Sequence, residues 1–110
     1  MSLKQYNAFI RFFGVDGRRY NYTVTAGYLP ACRREAKLYV QKAFQYEQYD
    51  GGYIVIRLPA PSGSLDAVEV EQWAFTSIEH DGHIFAKIWR SDIETCRMME
   101  KGESVQSEGK

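Results

Sequence analysis

The chain is 110 residues long, 45% apolar and 25% charged, with 14 basic and 14 acidic side chains and a formal net charge of zero. That length excludes an α/β barrel or a full dinucleotide-binding enzyme, and that composition excludes a disordered or fibrous chain. Neutrality argues against a strongly cationic nucleic-acid binder, whose affinity comes mainly from neutralised phosphates.

The charge is unevenly placed. Residues 1–50 carry a balance of +4 and residues 51–110 a balance of −4. The two cysteines, Cys32 and Cys96, are too few for a disulfide framework. The first fifteen residues are aromatic and strand-like, unlike a signal peptide. No apolar run approaches the ~18 residues that a membrane helix needs. The expectation is a cytoplasmic protein with free thiols and no membrane association.

In chain order, Gln5 to Gly14 reads as a strand dense in Phe9, Ile10, Phe12 and Phe13. Asp16-Gly17 follows, a hairpin signal because a type I′ turn needs positive φ at both central residues. Arg18 to Ala26 alternates as the return strand. With Asp16-Gly17 as a two-residue loop, Phe13 pairs with Tyr20, Arg11 with Tyr22 and Phe9 with Val24. Those six then share one face, and Ala8, Ile10, Phe12, Asn21, Thr23 and Thr25 share the other. Both faces hold apolar groups, so the buried one is not assigned.

Pro30 marks a helix start, where its missing N–H costs nothing. From there to Tyr46, the residues Cys32, Ala36, Tyr39, Val40, Ala43 and Phe44 recur at helical spacing. Arg33, Arg34, Lys37, Gln41 and Lys42 fall outside that stripe, giving an amphipathic helix with a basic outer face. Gly51-Gly52 closes this region. Tyr53 to Leu58 is a β-branched run expected in a central strand, and residues 59–66 form a loop by composition. Residues 67–80 and 83–90 form a second hairpin around Asp81-Gly82. Trp73, Phe75, Ser77 and Glu79 share its core face with Ile84, Ala86 and Ile88, and Ile78, Phe85 and Trp89 lie opposite. Ser91 with Glu94 three residues later has capping-box form and opens a short helix to about Lys101. It turns Ile93, Cys96 and one of Met98 and Met99 inward. Residues 102–110 read as a disordered polar tail.

The fold class is therefore α+β: an antiparallel sheet of about five strands in β-β-α-β-β-β-α order, packed against one main amphipathic helix. A short C-terminal helix covers a sheet end or edge. Residues 1–101 make a single domain.

Catalytic chemistry finds little support. Both cysteines lie on inward stripes, where cysteine acts as a small hydrophobe. There is no nucleophile elbow, phosphate loop or dinucleotide fingerprint. Glu69 and Glu71 share one strand face, read as the outer one. His80 and His83 face each other across Asp81-Gly82 and could hold a metal ion loosely. A structural site needs four enclosed ligands, so a solvated turn is expected, with no metal and no cofactor.

Binding chemistry is better represented. Aromatics form 15% of the chain, including eight tyrosines and two tryptophans, and Tyr, Trp and Arg dominate interface hot spots. The leading expectation is a non-enzymatic protein-binding module, a small inhibitor or adaptor of the kind mobile genetic elements encode. Its candidate contact residues are Arg11, Tyr20, Tyr22, Arg33, Arg34, Lys37 and Trp89, the aromatics anchoring and the cations steering toward an acidic partner. A homodimer is the further partner considered. The alternative is a single-stranded nucleic-acid binder using the first hairpin, where Tyr6, Phe9, Arg11, Phe13, Arg18, Arg19, Tyr20 and Tyr22 interleave aromatic and basic groups. Residues 52–57 resemble the ribonucleoprotein strand of RNA-recognition motifs but lack its paired aromatics. The α-β-β-β-α order from Pro30 is similar to that of double-stranded-RNA-binding domains, but Asp92, Glu94 and Glu100 make the last helix acidic where that family's is basic.

Overall fold

The computed structural model describes residues 5–46, 48–59 and 67–101. Its elements are β1 (Tyr6–Gly14), β2 (Arg19–Ala26), α1 (Leu29–Tyr46), β3 (Tyr49–Pro59), β4 (Ala67–His80), β5 (His83–Ser91) and α2 (Ile93–Glu100). The five strands form one antiparallel sheet in the order β2-β1-β3-β4-β5. The chain is an α+β domain with β3 at the centre. Most of the expected 59–66 loop, and the expected tail 102–110, lie outside the described residues.

α1 covers one face of the sheet. Its stripe of Cys32, Ala36, Val40 and Phe44 is buried against Ala8, Ile10 and Phe12 of β1, Ile54 and Ile56 of β3, Phe75 of β4 and Ala86 of β5. Each large apolar side chain buried there contributes about 1.5–3 kcal/mol relative to exposure. Pro30 sits in the first turn of α1, whose opening bond runs from the Cys32 N–H to the Tyr28 carbonyl at 2.9 Å.

The two Asp-Gly turns differ. Asp81 and Gly82 have φ of 53° and 77°, and His80 pairs with His83, as a two-residue type I′ loop requires. The second hairpin thus has the expected register, with Phe75 opposite Ile88 and Ser77 opposite Ala86. In the first turn only Gly17 has positive φ, at 85°. The Gly17 N–H donates to the Gly14 carbonyl at 3.0 Å, and the Gly14 N–H donates to the Arg18 carbonyl at 2.7 Å. This is a three-residue loop, a turn closed by a left-handed glycine.

The extra residue shifts the first hairpin by one position, so Phe12 pairs with Tyr20 and Ile10 with Tyr22. A one-residue slip exchanges the faces of a strand. Tyr20, Tyr22 and Val24 therefore join Ala8, Ile10 and Phe12 on the α1 side. Arg19, Asn21 and Thr23 join Phe9, Arg11 and Phe13 on the other. The expected pairing of Phe13 with Tyr20 and of Arg11 with Tyr22 is corrected accordingly.

Three further expectations change. Gly51 and Gly52 lie within β3 instead of closing the helical region. A Cβ on Gly52 would collide with the Arg11 carbonyl oxygen and stand 2.6 Å from Phe75 Cζ. Glu69 and Glu71 do not share a face. Glu71 keeps the alternation of Trp73 and Phe75 and points to the α1 side; the register shifts between Ile56, opposite Glu71, and Arg57, opposite Glu69, and this bulge sends Glu69 to the other face. Finally, Asp92 and not Ser91 caps α2, its side chain accepting from the Thr95 N–H.

α2 lies across the second sheet face, not at an end or edge. Cys96 packs there with Tyr53 and Val55, flanked by Phe9, Phe13, Ile93 and Met99. Ile78 and Phe85 on the same face remain exposed. Cys32 and Cys96 are free, buried and separated by the sheet.

Candidate binding surface

The two flanks of α1 present different chemistry. Toward the edge strand β2 the flank is aromatic. Tyr22 stacks on Tyr39, with ring centres 3.9 Å apart and planes 14° from parallel. Burial and the adjacent Tyr22 raise the Tyr39 hydroxyl's pKa. Tyr20 meets Tyr49 edge-on at 5.8 Å, and its hydroxyl donates to Asp16 Oδ2 at 3.1 Å. Among the described residues no strand lies beyond β2, so β2 is an edge beside these rings. Tyr22 is 46% exposed despite its stack. Tyr28, Leu38 and Tyr46 add further exposed apolar surface along the same helix and its approach.

Toward β4 and β5 the flank is basic and built on one buried carboxylate. Glu71 is only 3% exposed. Arg33 Nε and Nη2 donate to its two oxygens, each at 2.7 Å, and Trp73 Nε1 donates to Oε1 at 2.7 Å. Arg90 stands 3.8 Å away. The bond from Arg33, helped by that from Trp73, holds the Glu71 carboxyl below the ordinary glutamate range against the opposing effect of burial. The Lys37 ammonium lies 3.6 Å from the centre of the Trp73 ring, a cation–π contact. Pro30, Arg33, Arg34, Lys37, Leu38 and Gln41 line a shallow groove of 390 Å³ along the helix. With one carboxylate among Arg33, Arg34, Lys37 and Arg90, the flank carries a surplus of positive charge.

The seven predicted contact residues therefore divide. Tyr20 and Tyr22 stand on the aromatic flank, and Arg33, Arg34 and Lys37 on or beside the basic one. Arg34 is exposed and makes no ion pair among the described residues, whereas Arg33 is held by Glu71 and Lys37 by Trp73. Arg11 and Trp89 lie across the sheet, away from α1. Arg11 Nε approaches Glu100 Oε1 at 3.1 Å, and Trp89 is half-buried on β5 opposite Ala74.

His80 and His83 are exposed at the hairpin tip, with His80 Nε2 3.4 Å from Asp81 Oδ2. Among the described residues no group of three metal-ligating side chains occurs. No described helix is long and apolar enough to cross a membrane.

Sequence reasoning missed Glu71, Trp73 and Arg90 as parts of this surface. Alternation from Phe75 and Trp73 puts Glu71 on the α1 side, but the bulge that sends Glu69 to the other face has no local signature in the alternating run Val68-Glu69-Val70-Glu71, so the two carboxylates read as one outer pair. Comparisons with protein-family models, with curated proteins and with solved structures found no match.

Proposed function

We propose that the chain is a non-enzymatic protein-binding module, an inhibitor or adaptor, that docks through α1 and the adjoining edge strand β2 onto an acidic partner. The observation that carries this reading is Tyr22, stacked flat on Tyr39 yet nearly half exposed. A ring fixed in place but still open to solvent offers contact area at little conformational cost. Arg34 and the groove beside it supply long-range attraction to an acidic surface.

The test is capture from native cell extract after nuclease treatment, using the wild type and the variant Tyr22→Ala/Arg34→Glu. A partner retained by the wild type and lost by the variant, with thermal unfolding of the two alike, supports the reading. Equal retention by both proteins would remove this surface from the function.

A further inference from the structure

We infer that the sheet face opposite α1 contains a phosphate subsite for single-stranded nucleic acid, which Glu100 occupies as an internal ligand. Tyr53 of β3 stands opposite Arg11 of β1, and Phe13 of β1 opposite Arg19 of β2. The Arg11 guanidinium lies 5.6 Å from the Phe9 ring centre and that of Arg19 lies 5.1 Å from the Phe13 ring centre. The Phe9 and Phe13 rings are 6.4 and 6.0 Å from that of Tyr53. Aromatic rings on adjacent strands with guanidiniums between them match what single strands need, stacking for bases and forked donors for phosphate.

Both guanidiniums and the Tyr53 hydroxyl converge on one carboxylate. Arg11 Nε is 3.1 Å from Glu100 Oε1, Arg19 Nε is 2.9 Å from Oε2, and Tyr53 donates to Oε1. Arg19 Nη2 also donates to the Glu100 carbonyl at 3.0 Å. Two cations thus face one anion. The fit is incomplete, because Arg11 Nε is buried and makes no hydrogen bond among the described residues. Glu100 is also poorly placed as a permanent partner. It is the last residue of α2, where the negative end of the helix dipole opposes a carboxylate and helix ends fray. A phosphodiester group brings the same single charge on two oxygens set tetrahedrally instead of in a carboxylate plane, a geometry that forked guanidinium donors also match. Lifting the last turn of α2 would admit it and uncover Tyr53 and Phe13 together.

The test uses the full chain and a labelled oligothymidylate of about a dozen nucleotides, followed by fluorescence anisotropy. Glu100→Gln should bind about tenfold more tightly than the wild type, with affinity falling steeply as salt rises. Adding Arg11→Gln and Arg19→Gln should cancel the gain. In the wild type, saturating oligonucleotide should speed amide hydrogen exchange over residues 96–100, a readout that needs no variant to fold. Equal binding by wild type and Glu100→Gln, or a gain that survives loss of both arginines, would overturn the inference. So would unchanged exchange in α2. An oligoglutamate that binds Glu100→Gln as tightly as the oligonucleotide would overturn it in favour of an acidic peptide.

Discussion

Arg33 of α1 and Glu71 of β4 form a two-point ion pair, each N–O distance 2.7 Å, that ties the helix to the sheet beside the exposed basic groove. Glu71 is buried while Arg33 remains about one-third exposed at its side chain. Removing the arginine alone therefore strands a buried carboxylate. Arg33→Ala should lower stability by about 2–3 kcal/mol, below the range for fully buried pairs because Arg33 keeps partial access to water. Replacing both residues by methionine should cost less than that single change. Chemical denaturation of the three proteins measures the difference.

The same pair should shape the acid limb of stability. The Glu71 carboxyl is held below its unfolded value near 4.5 by Arg33 and Trp73. A carboxyl depressed in the folded state contributes stability that is complete above the unfolded value and lost as pH falls through the folded one. Glu71→Gln should therefore flatten the fall in melting temperature below about pH 4.5 relative to the wild type. An unchanged slope would mean that other carboxyls govern acid unfolding. A triple charge reversal of Arg33, Arg34 and Lys37 should unfold the domain more easily because of this contact.

Gly52 marks the closest backbone approach in the core. The position where its side chain would begin lies against the Arg11 carbonyl and the tip of the Phe75 ring. Backbone cannot yield as a flexible side chain does. Gly52→Ala should cost about 3 kcal/mol or prevent folding, the upper end for overpacking. Thermal unfolding by circular dichroism reads the effect directly.

Much of this architecture was legible because periodicity reports on burial. The α1 stripe from Cys32 to Phe44 and the second hairpin's core face follow from spacing alone. The first hairpin was not legible in the same way. Both of its β1 faces are aromatic, so hydrophobicity could not choose the register. The choice fell to one extra loop residue, Val15, whose effect is conformational and not compositional. The same limit hid the site. Arg33 looks like a solvated helix cation until α1 is laid on the sheet face where Glu71 follows Phe75 and Trp73. Glu100 looks like helix solubilisation until α2 is laid on the face that carries Arg11 and Arg19.

The cysteines should be unreactive while the protein is folded. Burial raises the Cys32 thiol, with the charge of Glu71 adding to it. Burial, with Asp92 and Glu69 nearby, pushes Cys96 up to about 12. The thiolate is the reacting species, so iodoacetamide at mildly alkaline pH should leave both unlabelled by mass spectrometry and label both in denaturant. The linkage has the opposite sign to that of Glu71. A thiol raised above its unfolded value near 9 contributes stability that is complete below that pH and lost as pH climbs toward about 12. Cys96→Ala should accordingly soften the alkaline loss of stability.

Gln41 guards the free edge of β5. Its side-chain amide donates to the Ala86 carbonyl at 2.9 Å and accepts from the Ala86 N–H at 3.3 Å, occupying the backbone groups that a sixth strand would take. Exposed edges template pairing with another chain, and the apolar Ile84 and Phe85 beside this one are exposed. Gln41→Ala removes both bonds at a cost of about 1–3 kcal/mol, and it opens the edge for a second copy. Sedimentation across a concentration series should show the variant self-associating more strongly than the wild type. Identical sedimentation at matched folded fraction would mean that the flanking side chains, and not Gln41, keep β5 from pairing.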